Sequence, residues 1–155
     1  MSGQRLPPAL ILLLGGLIVG TLDISYAIAF WWLRNGVPPS RIFQSVAAGV
    51  LGPAALRGGA RSALLGAFLH YFIAIAVVVV YWIVSRFAPV LIQRPVLCGA
   101  VYGVFVYVFM NYVVIPLSAT RRGSFILSWV VCTVIVHTLF IGIPAALFAR
   151  AAAKG

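Results

Sequence analysis

Apolar residues fill four long stretches of the chain, and the basic residues stand between and beside them. Residues 6–33 carry a single charge, Asp23, while residues 62–85, 95–120 and 123–149 contain no Asp, Glu, Lys or Arg. Each stretch exceeds the ~20 residues that cross ~30 Å of hydrocarbon at ~1.5 Å per residue, so each predicts one spanning helix. The predicted spans run over about 8–33, 62–84, 96–117 and 124–148. Strands compete poorly, because a membrane barrel reads as segments of about 10 residues with alternating polarity, and nothing alternates here. The expected fold is all-α: an integral membrane four-helix bundle forming a single domain over residues 1–155.

The longest connection, residues 34–61, has a pattern of its own. Pro38 and Pro39 stop the first helix, Ser40 is a good N-cap, and Gly52-Pro53 supplies a helix end. Between them Ile42, Phe43, Val46, Val50 and Leu51 recur at helical spacing, while Arg41, Gln44 and Ser45 are expected to turn away. This predicts a short amphipathic helix over about 40–52 lying at the membrane interface. Its functional rival is a re-entrant element that dips in and returns through Gly52, Gly58 and Gly59, as broken helices beside transport pathways do.

Composition sharpens this reading. With 64% apolar and 8% charged residues and a formal charge of +10, the 155-residue chain departs far from a water-soluble domain. The basic residues sit singly or in pairs at span ends, where Arg57, Arg61, Arg121 and Arg122 can meet lipid phosphate; nucleic acid is not an expected partner. Ser118, Thr120 and Ser124 beside Arg121 and Arg122 add the option of headgroup recognition. The start of the chain looks like a secretory signal with Ala27-Ile28-Ala29 as a cleavage pattern, yet the apolar run is too long and contains an acid, so a retained anchor is expected. Arg5, Arg86, Arg94, Arg150, Lys154 and the terminal amine on one side balance Arg34, Arg41, Arg57, Arg61, Arg121 and Arg122 on the other, which leaves orientation open. Cys98 and Cys132 fall inside spans and read as small apolar residues. Trp31, Trp32, Tyr81, Trp82 and Trp129 mark span ends as interfacial anchors.

Helix contacts in lipid depend on close backbone approach. Gly16 and Gly20 form one GxxxG and Gly99 and Gly103 another. Gly16, Gly20, Asp23 and Ala27 share a face of the first span, and Gly99, Gly103, Tyr107 and Asn111 share a face of the third.

Asp23 is the lone acid, and an ionised carboxylate near the bilayer centre costs at least about 2.5 to 3.5 kcal/mol. Counting from the nearest flanking arginine puts Asp23, His70 and Asn111 about 16, 14 and 15 Å below one surface, with His137 deeper at about 22 Å. An intramembrane polar cluster of Asp23, His70 and Asn111 follows, with His137 at its lower edge. Two readings stay open: proton- or ion-linked movement, or a buried hydrogen-bonded set that fixes helix register. A b-type haem held by His70 and His137 is a lesser expectation, since their depths differ by about 8 Å. Hydrolytic and metal chemistry need paired carboxylates, a nucleophile beside a base, or three or four close ligands, so neither a hydrolytic enzyme nor a metal site is expected, and other enzyme chemistry stays open.

Residues 20–24 (GTLDI), 44–52 (QSVAAGVLG) and 110–118 (MNYVVIPLS) resemble segments of a family of small four-span proteobacterial inner-membrane proteins, distantly similar to YagU. The resemblance implies the fold and a bacterial inner membrane. It carries over no activity, cofactor or catalytic residue. A bundle this small has little interior, so self-association or membership of a larger membrane complex is expected, with transport or an accessory, scaffolding role as the competing classes.

Overall fold

The computed structural model describes residues 6–120 and 125–154. Its helices are α1 (Pro8–Asn35), α2 (Pro39–Leu51), α3 (Gly59–Ser85), the short α4 (Val90–Gln93), α5 (Pro95–Leu117) and α6 (Leu127–Ala153), with a 3-10 turn over Gly52–Arg57. The described residues contain no strand, so the fold is all-α. Four of these helices, α1, α3, α5 and α6, are long and apolar enough to cross a membrane. The fourth ends five residues beyond the expected boundary because residues 149–153, rich in alanine, simply continue it; its expected start at residue 124 lies outside the described residues. Arg121 and Arg122 also lie outside them.

The helices end where the chain chemistry stops them. Gly36, at φ +64°, takes the left-handed conformation after α1 and donates its N–H to the Trp32 carbonyl at 2.8 Å. α2 begins differently from the expectation at Ser40: Pro39 is its first residue and Pro38 its cap, with no side-chain hydrogen bond. A proline at the first helical position needs no N–H and has its φ already set, which makes a serine cap unnecessary.

α1, α3 and α6 touch one another, while α5 runs along α6 and reaches α3 through Tyr102, whose hydroxyl donates to the Val77 carbonyl at 2.8 Å. α1 and α6 bury 33% and 39% of their most apolar windows, against 17% and 11% for α3 and α5, so the latter pair turns most of its surface outward. Small residues let the backbones close. Ala145, Ala146 and Ala149 of α6 are fully buried, and a Cβ on Gly16 would lie 2.5 Å from Ile75 Cα on α3. On Gly99 it would lie 2.7 Å from the Gly142 carbonyl oxygen, and on Gly103 it would run into the His137 backbone. The two GxxxG pairs therefore sit at two different contacts, α1 with α3 and α5 with α6.

α2 folds back onto α3, where a Cβ on Gly66 would collide with the Phe43 carbonyl. Gly66 lies about 10 Å along α3 from Gly59 at 1.5 Å per residue, so the first turns of α2 pack well below the top of α3. Gln44 was expected to face away but is buried, donating from Nε2 to the Gly59 carbonyl at 3.0 Å beside Ala47 and Ala48. The small alanines bring α2 so close that the amide is enclosed, and a backbone carbonyl satisfies it. Ile42 is buried with them, Phe43 and Val46 are half-buried, and Val50 is exposed.

Tyr81 also departs from its expected role as an interfacial anchor. It is 1% exposed, stacks edge-on with Tyr102 at 4.9 Å, and donates its hydroxyl to the Leu91 carbonyl of α4 at 2.9 Å. Tyr81→Phe should cost about 1 kcal/mol of thermal stability in detergent and speed amide exchange over residues 90–93. Unchanged exchange there would contradict this anchoring of α4.

Candidate functional site

A partly open cavity of about 280 Å³ lies between α1, α3, α5 and α6 and also touches Val46 of α2. Asp23, His70, Asn111 and His137 all border it, one from each long helix. Its volume holds several waters at about 30 Å³ each. The remaining wall is mostly apolar, with Trp129 and Thr133 near the Asn35 end of α1 and Val77, Val106 and Ile141 among the others. An aromatic group adjoins that end: Trp129 stacks on Tyr26 at 5.5 Å and meets Phe30 at 4.9 Å and Trp31 at 5.2 Å. Trp31 and Trp129 thus tie α1 to α6, beyond the anchoring expected of them.

The four polar side chains do not bond to one another. His70 donates from Nε2 to the Gly20 carbonyl of α1 at 2.8 Å. Because a carbonyl can only accept, this nitrogen carries a proton, and whenever the ring is neutral Nδ1 is left as an acceptor. His137 donates from Nδ1 to the Thr133 carbonyl at 3.0 Å, which leaves Nε2 as acceptor. Its ring stands perpendicular to that of Tyr107 at 5.5 Å. Asn111 donates from Nδ2 to the Tyr107 carbonyl at 2.9 Å, leaving Oδ1 and one N–H. Asp23 has no ion-pair or hydrogen-bond partner among the described residues. The cavity is therefore rich in acceptors and short of donors.

Two helices change winding at this cavity. Met110–Val114 in α5 and His137–Gly142 in α6 are π-helical. In each, the closing bond runs five residues back, from Ile115 N–H to the Met110 carbonyl and from Ile143 N–H to the Thr138 carbonyl. Each of these isoleucines precedes a proline, Pro116 or Pro144. A proline inside a helix lacks a donor and crowds the carbonyl four residues earlier, here Tyr112 or Phe140, and a widened turn accommodates both effects. Such turns recur at functional sites. The repeated Ile-Pro after a polar residue was the available sequence signal, and periodicity alone passes over it. Met110 and Thr133 carry no such signal, since nothing in their spacing sets them apart from bundle residues, and Trp129 reads from the sequence only as an interfacial anchor.

Other sequence candidates lie elsewhere. Arg57 and Arg61 are exposed near the 3-10 turn, away from the cavity lining. A haem fits poorly, because about 280 Å³ falls below even the usual range for drug-sized ligands, about 300–1,000 Å³. Among the described residues no three His, Cys, Asp or Glu side chains group as metal ligands.

The chain matches no protein family, no characterised protein and no solved structure. Fold and composition define a class: a multi-pass membrane protein built as an all-α bundle.

Proposed function

We propose that this chain is a bacterial inner-membrane protein that moves protons, alone or coupled to a cargo, through the cavity at Asp23. The observation that carries the reading is the placement of the sole acid of the chain on the wall of a cavity with two imidazoles, where it has no cationic partner among the described residues. A carboxylate held within a span is costly, and intramembrane ionisable groups of this kind mark proton and ion pathways. His70 and His137, each with one nitrogen left to accept, are suited to pass a proton to or from Asp23 through intervening water. The inner membrane rests on the resemblance of residues 20–24, 44–52 and 110–118 to small proteobacterial proteins. The outward apolar surfaces of α3 and α5 favour assembly as a homo-oligomer or as a subunit of a larger complex.

The test is proton flux. Purified protein in vesicles with an imposed pH gradient should dissipate that gradient faster than empty vesicles, in proportion to the protein added. Dissipation at the empty-vesicle rate overturns the proposal. An accessory or scaffolding subunit is the rival reading, supported by the same outward faces; a stoichiometric partner retained in mild detergent together with absent flux would favour it.

A further inference from the structure

The hydrogen-bond balance of the cavity points to a cargo. We infer that the site binds a small, mainly apolar primary ammonium ion, in competition with protons for Asp23. This rests on reading the cavity as the working site and adds the chemical class of what occupies it.

The wall leaves acceptors: both Asp23 oxygens, His70 Nδ1, His137 Nε2 and Asn111 Oδ1. Against these stand one Asn111 N–H, the Trp129 indole N–H and the hydroxyls of the Thr133–Tyr26 pair, which lie 3.4 Å from each other, so acceptors still outnumber donors. A primary ammonium carries three N–H donors and a positive charge, the complement of one carboxylate surrounded by neutral acceptors. Inorganic cations fit less well. They need about six or more oxygen ligands for a hard divalent ion, while this wall offers side-chain oxygens from Asp23, Asn111 and Thr133 amid imidazole nitrogens and aliphatic groups. Val19, Val46, Ile73, Val77, Val106 and Ile141 instead suit an alkyl or aryl body. At about 280 Å³ the space limits that body to less than drug size.

Proton competition follows from the same geometry. The titratable groups around Asp23 are His70 on α3, His137 on α6 with Tyr107 of α5 behind it, and Tyr26 on α1 with Cys132 of α6 beside it; α2 contributes only Val46. A proton on Asp23 removes the negative charge and a proton on either imidazole adds a positive one, and each change opposes a bound cation.

The experiment is calorimetric titration of detergent-purified protein with benzylammonium, beside benzyltrimethylammonium and sodium chloride. Benzylammonium should bind, more weakly at acid pH, and Asp23→Asn should raise its Kd about tenfold to a hundredfold, the value of a charged hydrogen bond. The quaternary ion has the same charge and no N–H, so it should bind at least about tenfold more weakly than the primary one. No binding, binding unaffected by Asp23→Asn, equal or tighter binding of the quaternary ion, or sodium binding of equal affinity would each overturn the inference. Proton flux in vesicles that persists alongside such a result separates loss of the cargo assignment from failure of the proposed function.

Discussion

Asp23→Asn is expected to reduce proton flux in vesicles to the level of empty vesicles while the protein stays folded. The substitution keeps the shape of the side chain and removes its charge and its ability to take up a proton. No described partner depends on that charge for an ion pair, so its loss leaves no cation stranded in the bundle. The carboxylate itself carries an insertion cost of about 2.5 to 3.5 kcal/mol when ionised, which the amide removes, so thermal stability in detergent should stay level or rise. A purely structural role predicts the opposite pair of results: melting lowered by the substitution, with flux in the wild type no greater than in empty vesicles. Flux that persists in Asp23→Asn would remove this residue from the pathway even if the protein conducts.

Gly142→Ala is expected to damage the contact between α5 and α6 severely. A Cβ there would collide with the Gly99 carbonyl oxygen and the Gly103 amide, and would stand 2.7 Å from Gly103 Cα. These are backbone atoms of α5, so no side chain can swing aside. Overpacking costs about 1–3 kcal/mol in ordinary cores, occasionally more, and backbone contact on this scale belongs at or above the top of that range. Lipid offers no compensation, because tight helix contact supplies the attraction between spans. The α5–α6 seam also carries Asn111 and His137, so ammonium binding should fall with stability. Gly49→Ala is the matched control: its nearest neighbour is the Ser118 Cβ at 3.8 Å, and its melting should stay within about 0.5 kcal/mol of the wild type. Equal melting of the two variants would show that α5 and α6 part without cost.

Much of the scaffold was legible from charge placement. Eleven basic residues delimit the long apolar stretches, and helix is the one element able to satisfy its backbone there without closing a barrel. Depth counting along helices of fixed rise also suffices to propose Asp23, His70 and Asn111 at one level, because each rise accumulates from a known flank. Gln44 and Tyr81 show where such reasoning stops. Both carry polar atoms in positions that read as surface, and both are enclosed because a neighbouring segment, α3 for one and α4 for the other, brings a carbonyl within reach. His137 shows it again. Counting set it about 8 Å deeper than His70, yet both border one cavity, since the count started at Arg122 whereas α6 begins only at Leu127, ten residues or about 15 Å before His137.

The order of residues along the chain by itself determined that four helices form, where they begin and end to within a few residues, and that one acid lies among apolar neighbours. These are local matters, set by water-to-lipid transfer and by backbone bonds within each segment. The tertiary structure alone decided which donors are spent on which carbonyls, which glycines meet which backbones, and that Ile115-Pro116 and Ile143-Pro144 open π turns beside the same space. Those outcomes depend on distances between segments far apart in the chain, and residue spacing along a single helix carries no information about them.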